Sequence, residues 1–408
     1  MSVMRARRII LGINAFDSGS TGAPLRNALK YLSKELGCDY KILVYQGSDP
    51  ARAEIYGRSR PLYTKIIEHF EILRRLRVPV GTYFRVFTRR VIKSIKRAMR
   101  EYDSVIVNLN NMHDGRIHNP MLFHFLRKHN VPTIYTLHDC WPFTGGCFYY
   151  GNGEMPCSRW KTGCKDCPLN LPRTEKMLRR KTQDLQNRRN VFLMPTSKWL
   201  AKEAKDSVLG NLPVFPVHTE SPMSLVKEPP ADYRLKWGIP YGQKIVISAG
   251  ACWSAWKGPN FILEVADRLP DDYTLLIVGD FDSKGRKNIV VTGLLDNDEL
   301  CRCYYIADCF VSVTQRETFG LVLPEAEMCG VPIVGFGHGG TVESVNDRTS
   351  IMVGTENDVD KLVHAIIHVV EDKPFKKEDI IAAGMRFAKG TYGPRLLPYY
   401  KKLFGMEN

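Results

Sequence analysis

The sequence predicts an α/β protein made of two doubly wound domains. A chain of 408 residues is longer than one hydrophobic core usually needs, so about two domains are expected. In each half, short apolar runs alternate with amphipathic segments, which is typical of parallel strands joined by helices. Between the halves, residues 212–240 are rich in proline and lack a long periodic segment, which indicates the interdomain connection.

The first predicted domain covers residues 1–212. Its apolar runs predict strands at residues 8–13, 40–45, 104–108, 131–137 and 191–194. Apolar residues at helical spacing predict helices at residues 22–36, 84–100, 120–129 and 198–209.

The second predicted domain covers residues 213–390, where the alternation begins again. Strands are predicted at residues 244–248, 274–278, 309–313 and 332–335, with helices at residues 261–269 and 297–307. The remaining residues, 391–408, form a tail with a predicted helix at residues 396–404.

Charge is divided unevenly between the halves of a chain whose net charge is +15. Residues 1–212 carry 37 Lys and Arg against 17 Asp and Glu, whereas residues 213–408 carry 21 against 26. The first half is therefore expected to meet an anionic partner. The apolar run at residues 9–11 is too short for the core of a signal peptide, and no run of about 20 apolar residues occurs elsewhere. These features predict a cytoplasmic protein.

Two glutamates, Glu317 and Glu325, are the strongest functional signal. The apolar run at residues 309–313 stops at Thr314 and Gln315, as a buried parallel strand does at its carboxyl end. Ligands of open α/β sheets bind at that edge, so Glu317 is expected to lie beside a small molecule. The helix that follows contains Glu325, and its first amide groups favour an anion. A site for a phosphate-bearing ligand with hydroxyl groups is predicted.

This segment resembles the Glu-x7-Glu signature of retaining glycosyltransferases with the GT-B fold, in particular glycosyltransferase family 4. Further matching motifs, in the order of that family, are Ile247-Ser248-Ala249-Gly250, Lys257-Gly258, Leu275-Leu276-Ile277-Val278-Gly279, Ala307-Asp308-Cys309 and Gly339-Gly340-Thr341-Val342-Glu343. The resemblance implies two Rossmann-like domains facing each other across a cleft, with the tail helix packed back on the first domain. It also implies transfer of a sugar from a nucleotide diphosphate sugar, without a catalytic metal.

Residue roles follow from the same resemblance. Glu325 would bind the ribose hydroxyls, and Glu317 the hydroxyls of the donor sugar. Lys257, at a strand-to-helix turn, would bind the diphosphate together with the amide groups near Gly320 and Leu321. Family members usually carry an arginine several residues before that lysine, but residues 251–256 contain no cation. Either Lys257 carries more of the phosphate stabilisation, or a basic residue of the first domain supplies the second charge.

In the first domain, His138 and Gly22 are candidate site residues. His138 follows the strand at residues 131–137 and would face the crevice, where it could hydrogen-bond a sugar hydroxyl or stabilise a developing charge. The family places a His-Asp pair there, near the reacting sugar, and Asp139 completes the pair. Gly22 lies in a glycine-containing turn after the first strand, where backbone amides could approach a phosphate.

A cluster of cysteines interrupts the first domain at residues 140–168. Cys147, Cys157, Cys164 and Cys167 include a Cys-x2-Cys pair, and this spacing predicts a tetrahedral structural zinc, with Cys140 as an alternate ligand. Free thiols or two disulfides are the alternatives. A similar insert occurs in colanic-acid-type exopolysaccharide members of the family, and its position places it beside the acceptor side of the cleft.

The segment at residues 84–100 predicts a basic amphipathic helix. Its basic positions are Arg85, Arg89, Lys93, Lys96 and Arg100. This helix could simply pack on its domain, or it could rest on an anionic membrane, where each positive charge contributes about 1 kcal/mol. The second possibility predicts a peripheral protein at the inner face of the cell membrane that reaches a lipid-linked acceptor.

The resemblance thus implies a hexosyltransferase that acts on a glycan acceptor in polysaccharide biosynthesis. On the same fold, a nucleotide-sugar epimerase or a sugar-phosphate synthase remains an alternative. An alternative of another class is a basic, zinc-containing nucleic-acid-binding protein. The absence of a basic motif interleaved with aromatic residues argues against nucleic acid as a partner.

Overall fold

The computed structural model describes residues 6–47, 54–55, 80–113, 117–150 and 157–406. Its strands form two six-stranded sheets in which neighbouring strands run parallel. Both sheets are flanked by helices, as parallel sheets require to cover their two apolar faces. This arrangement of two Rossmann-like α/β units confirms the predicted fold class.

The first sheet has the order β3-β2-β1-β4-β5-β6. Its strands are β1 Arg8–Phe16, β2 Asp39–Gln46, β3 Glu54–Ile55, β4 Ser104–Leu109, β5 Thr133–Leu137 and β6 Val191–Pro195. The order reverses between β1 and β4, so a crevice opens at the carboxyl ends of these two strands. His138 directly follows β5, the next strand along.

Five helices from the first half of the chain accompany the first sheet among the described residues. They are α1 Gly19–Leu36, α2 Val80–Glu101, α3 Asn119–Lys128, α4 Thr174–Thr182 and α5 Lys198–Lys205. Helix α5 ends at Lys205, before the predicted end at residue 209. Asp206 is its C-cap, and the Ser207 hydroxyl donates to the Ala204 carbonyl. The apolar face of α2 is buried in the core, whereas its basic face is exposed.

The second sheet has the order β12-β11-β10-β7-β8-β9. Its strands are β7 Lys244–Cys252, β8 Tyr273–Asp280, β9 Ile289–Gly293, β10 Cys309–Ser312, β11 Ile333–Gly335 and β12 Ser350–Met352. Its helices are α6 Pro259–Arg268, α7 Asn297–Tyr305, α8 Val322–Met328, α9 Thr341–Ser344, α10 Val359–Asp372 and α11 Lys377–Met385. Here the strand order reverses between β7 and β10, which places the second crevice beside those strands.

A final helix, α12 Tyr392–Leu403, lies against α1 of the first unit. Tyr392, Leu396 and Tyr400 of α12 are buried in one hydrophobic cluster with Leu25 and Leu29 of α1. The packing is completed by a buried hydrogen bond from the Asn108 amide to the Tyr400 hydroxyl. No helix within the described ranges is long and apolar enough to cross a membrane.

Candidate active site

The loop after β10 positions Glu317. It leaves the carboxyl end of β10 at Ser312 and leads into α8 at Val322. Gly320 adopts a φ of +82°, which favours glycine because it has no Cβ. A Cβ at Gly340 would lie 1.9 Å from the carbonyl oxygen of Thr318, so the Gly339-Gly340 pair permits a close backbone contact. The Gly340 amide donates to the Glu317 carbonyl at 2.8 Å, which fixes the loop.

Lys257 and Glu317 form an ion pair at the second crevice. The Lys257 ammonium lies 2.5 Å from the Glu317 carboxylate, and the two side chains are 27% and 14% exposed. Burial by itself raises the pKa of Glu317. The charge and hydrogen bond of Lys257, with the amides of Thr318 and Phe319, outweigh that effect, so the pKa of Glu317 is lowered. Glu317 is therefore an ionised acceptor at neutral pH.

A pocket surrounds this pair. Its lining comes from the second unit: Ser248, Ala249, Gly250, Trp253, Lys257, Phe310, Ser312, Val313, Thr314, Glu317, Gly320, Val322, Leu323 and Thr341. Among these described residues Lys257 is the sole cationic side chain. The pocket thus offers one positive charge, one carboxylate and the amide groups at the start of α8.

Glu325 lies within α8 and does not line that pocket. It is 7% exposed, and its carboxylate accepts a hydrogen bond from Ser221 at 2.6 Å. Burial raises the pKa of Glu325 to about 7, although the bond from Ser221 opposes this shift. Leu321 directly precedes α8, between the two pocket residues Gly320 and Val322. The structure therefore brings Lys257, Glu317 and Gly320 together, with Leu321 adjacent and Glu325 behind them.

His138 lies opposite this loop, on the first unit. The Thr318 hydroxyl donates to the His138 carbonyl at 2.8 Å, so the Glu317 loop contacts the end of β5. Tyr149 of the cysteine-rich insert also crosses the cleft, and its hydroxyl donates to Glu317 at 3.3 Å. The two crevices therefore meet at residues 317 and 318.

A chain of side-chain hydrogen bonds determines the tautomer of His138. The Asn110 amide group donates to Asn108, so the Asn110 oxygen is left to accept from Nε2 of His138 at 3.1 Å. Burial, with a smaller contribution from His113, lowers the pKa of His138 to about 4. His138 is therefore neutral at pH 7, protonated on Nε2, and keeps Nδ1 as an acceptor.

Gly22 occupies the first turn of α1. A Cβ at this position would lie 2.7 Å from the Phe16 carbonyl oxygen and from the Asp17 carbonyl carbon. Gly22 therefore lets the helix pack tightly on the end of β1. The lining of the pocket around Lys257 comes from the second unit and does not include Gly22.

The cysteine-rich insert brings some of its thiols close together. Burial raises the pKa of Cys164, and the nearby Cys147 and Cys157 add to this effect. Cys164 also accepts a hydrogen bond from the Gly145 amide at 3.1 Å. Within the described ranges, no group of three or more His, Cys, Asp or Glu side chains is placed to hold a metal ion. The predicted four-cysteine ligand set is therefore not assembled in this structure.

Several residues that join the two units were not singled out from the sequence. Glu343 accepts from the amides of Lys198 and Trp199, each at 2.7 Å, and lies 2.9 Å from Nε2 of His218. These amides open α5, so a carboxylate of the second unit meets the positive end of a helix of the first. The matched motif at residues 339–343 contained Glu343, but its partner helix lies far away in the sequence.

Comparison with known proteins agrees with this architecture. Residues 231–386 match the family model described as glycosyl transferases group 1, so the second unit contains a domain of that type. The D-inositol 3-phosphate glycosyltransferase of Mycolicibacterium smegmatis is 28% identical over 156 residues. This match covers 35% of the present chain and 36% of that relative. The chain thus spans just over a third of the length of that curated relative.

Solved structures resemble nearly the whole chain. Sucrose-phosphate synthase from Thermosynechococcus elongatus has a TM-score of 0.65 at 16% identity, covering 98% of this chain and 100% of that one. The Anabaena protein HepE in complex with UDP-glucose has a TM-score of 0.63 at 16% identity, with coverage of 97% and 99%. The protein therefore has the GT-B fold, with two Rossmann-like units facing each other.

Proposed function

We propose that this protein is a hexosyltransferase that takes a sugar from a nucleotide diphosphate sugar. The observation that carries this proposal is the ion pair of Lys257 and Glu317 between the carboxyl ends of β7 and β10. A diphosphate would replace Glu317 as the partner of Lys257, and the released carboxylate would then accept from hydroxyls of the donor sugar. The glycosyltransferase relative and the UDP-glucose held by the Anabaena protein support this choice of donor.

The leaving diphosphate would gain its stabilisation from charge that is already in place. Lys257 and the amides near Gly320 and Leu321 would face the oxygen on which negative charge develops, and such preorganised donors usually contribute most to catalysis. Neutral His138 would accept a hydrogen bond from a donor-sugar hydroxyl through Nδ1. Glu325 would bind the ribose after exchanging its bond to Ser221 for bonds to ribose hydroxyls.

The acceptor would be a hydroxyl of a lipid-linked glycan, as in polysaccharide biosynthesis. We propose that the acceptor oxygen bonds to the anomeric carbon on the face that the diphosphate leaves, while the bond to the diphosphate oxygen breaks and that oxygen takes the proton of the acceptor hydroxyl. Attack on this face retains the anomeric configuration. Nuclear magnetic resonance of the product tests this directly, since an inverted anomeric centre would contradict retention.

A panel of nucleotide sugars tests the function as a whole. One member is expected to raise the melting temperature of the protein, because a ligand that binds only the folded state stabilises it. Glu325→Ala should lose that response, whereas Glu299→Ala, at a surface ion pair of the same unit, should retain it. Transfer to an acceptor separates the proposal from an epimerase, which would release an isomeric nucleotide sugar. If no nucleotide sugar stabilises the protein, the proposal fails.

A further inference from the structure

A second pocket lies in the cleft beside the Lys257 pocket. Its walls come from both units: Tyr149, Tyr150, Trp199, Gln315, Arg316, His338, Gly339 and Asn357. The two pockets adjoin at consecutive residues, because Arg316 lines this pocket and Glu317 lines the other. Tyr149 also belongs to this pocket, and its hydroxyl contacts Glu317. A molecule here would therefore lie next to the proposed donor sugar.

Arg316 gives this pocket a positive charge. In the part of the chain that the structure describes, no carboxylate forms an ion pair with its guanidinium. The adjacent Glu317 pairs with Lys257 instead. A half-buried arginine without an acidic partner has guanidinium N–H groups to offer an anion, and its planar fork suits a carboxylate or a phosphate.

Tyr150 holds this arginine in place. One guanidinium nitrogen donates to the Tyr150 carbonyl, and the guanidinium carbon lies 5.4 Å from the centre of the Tyr150 ring. The Tyr150 ring in turn stacks on Trp160 at 5.2 Å and Trp199 at 6.4 Å. Such support reduces the entropy that Arg316 would lose on binding a ligand.

The aromatic side chains give the pocket a second recognition element. Tyr149, Tyr150 and Trp199 supply apolar surface with polar tips, and such surface suits the C–H face of a pyranose ring. His338 and Asn357, which are 2.7 Å apart through Nε2 and Oδ1, provide polar groups for hydroxyls. The lining thus combines a sugar-binding surface with one anion-binding group.

We propose that this pocket binds an acceptor saccharide that carries an anionic group, either a carboxylate or a phosphate. Arg316 pairs with the anion, and the aromatic residues hold the ring so that a hydroxyl faces the donor sugar. This proposal rests on the proposed function, since it names the class of acceptor for the same cleft. The proposal also explains why Arg316 and Glu317, which are adjacent and oppositely charged, line two different pockets.

The test measures binding of four probes to the full chain by calorimetry. The probes are a methyl glucuronide, glucose 1-phosphate, methyl glucoside and inorganic phosphate. A charged sugar should bind at least about tenfold more tightly than methyl glucoside, which corresponds to ~1.4 kcal/mol. Preference for the glucuronide would identify a uronic acid acceptor, and preference for glucose 1-phosphate a phosphorylated one. Equal affinity for inorganic phosphate and glucose 1-phosphate, without glucuronide binding, would overturn the sugar part of the proposal.

Variants test whether Arg316 causes the tighter binding of the charged sugar. Arg316→Ala should remove the advantage of the charged sugar and leave methyl glucoside binding unchanged, whereas Arg316→Lys should retain part of the advantage. Arg302→Ala, which removes an arginine paired with Glu299 on the same unit, should behave as wild type. If Arg316→Ala does not fold, Arg316→Lys still tests the proposal. Wild-type affinity of this variant for every probe would contradict recognition of the anion by the planar guanidinium group of Arg316.

Thermal stabilisation by nucleotide sugars distinguishes a failure of the acceptor proposal from a failure of the proposed function. If a nucleotide sugar still stabilises the protein but the charged sugars have no advantage, the acceptor proposal alone is wrong. If no nucleotide sugar stabilises it, the proposed function fails first.

Discussion

The Thr318 hydroxyl donates to the backbone carbonyl of His138 at 2.8 Å, which connects the loop carrying Glu317 to the end of a strand in the opposite unit. We expect Thr318→Val to lower turnover several-fold, because removing one hydrogen bond costs about 1 kcal/mol and loosens the alignment of the two units. Donor affinity should change little, since Lys257 is untouched. Steady-state kinetics check this. Thr274→Val, which removes a hydroxyl bonded to Gln243 away from the cleft, is the matched control.

Lys257→Met should weaken binding of the nucleotide diphosphate sugar by at least about tenfold, because the variant removes the one cationic side chain among the described residues that line the pocket. The pKa of Glu317 should rise, since burial then acts without the opposing charge. Calorimetry with the donor measures the loss. Lys244→Met removes a lysine that pairs with Asp272 and Glu371 on the protein surface, and it should bind the donor normally. Equal donor affinity in both variants would contradict the role of Lys257.

The pKa of His138 predicts a pH dependence of stability. This pKa is about 4 in the folded protein, below the usual value, so the unfolded chain binds a proton on His138 at a higher pH than the folded chain does. The contribution of His138 to the free energy of unfolding is therefore fully present above about pH 6.5 and is lost as the pH falls towards 4. Denaturant unfolding at several pH values measures this, with His138→Gln as the variant in which the dependence should shrink.

Asn110→Asp should move the protonation of His138 towards neutral pH. The new carboxylate would lie about where the Asn110 oxygen accepts from Nε2 now, and a neighbouring negative charge raises the pKa of a histidine. We expect turnover in this variant to fall between pH 7 and 5, where the wild type changes less. An unchanged profile would show that the charge state of His138 is irrelevant to the reaction.

The four cysteines of the insert predict a structural zinc, although the described residues do not form a complete ligand set. Protein purified without chelator is expected to contain about one zinc per chain and to lose thermal stability when the metal is removed. Elemental analysis combined with thiol titration tests both points. Metal-free protein with four reactive thiols at Cys147, Cys157, Cys164 and Cys167 would contradict the prediction, and Cys252→Ser is a control outside the insert.

The basic face of α2 predicts binding to anionic lipid by charge alone. Phe87, Val91 and Ile95 are buried in the protein core, so the apolar face of this helix is not available to enter a bilayer. Vesicles with anionic lipid should therefore retain the protein at low salt and release it as the salt concentration rises. Replacing Arg89 and Lys93 with glutamine should weaken retention. Equal retention by neutral vesicles would contradict an electrostatic mechanism.

Local signals were enough to predict most strands and helices and the placement of Lys257, Glu317 and His138 at sheet edges. Parallel strands place their carboxyl ends at one edge, so a residue that directly follows a buried strand can be assigned to the crevice. Cross-cleft partners could not be predicted in this way. Tyr149 meets Glu317, and Arg316 meets Tyr150, only because the two units approach each other in space.

The orientation of the Glu325 side chain also could not be predicted from the sequence. Helical spacing places it in α8, but whether its carboxylate faces a ligand or Ser221 depends on how the interdomain segment packs. The missing arginine before Lys257 is a similar case. Sequence alone left a first-domain cation as one solution, but the described lining of the Lys257 pocket comes from the second unit and includes no such residue.

Helix α12 has a consequence for biosynthesis. It fills the cluster around Leu25 and Leu29, yet the ribosome makes it after the whole second sheet. During translation the α1 side of the first sheet therefore remains open while the second sheet folds, and domains normally fold as units in the order of synthesis. A nascent chain at this stage exposes apolar surface that Leu396 and Tyr400 later cover, and such transient exposure favours aggregation until α12 has been made.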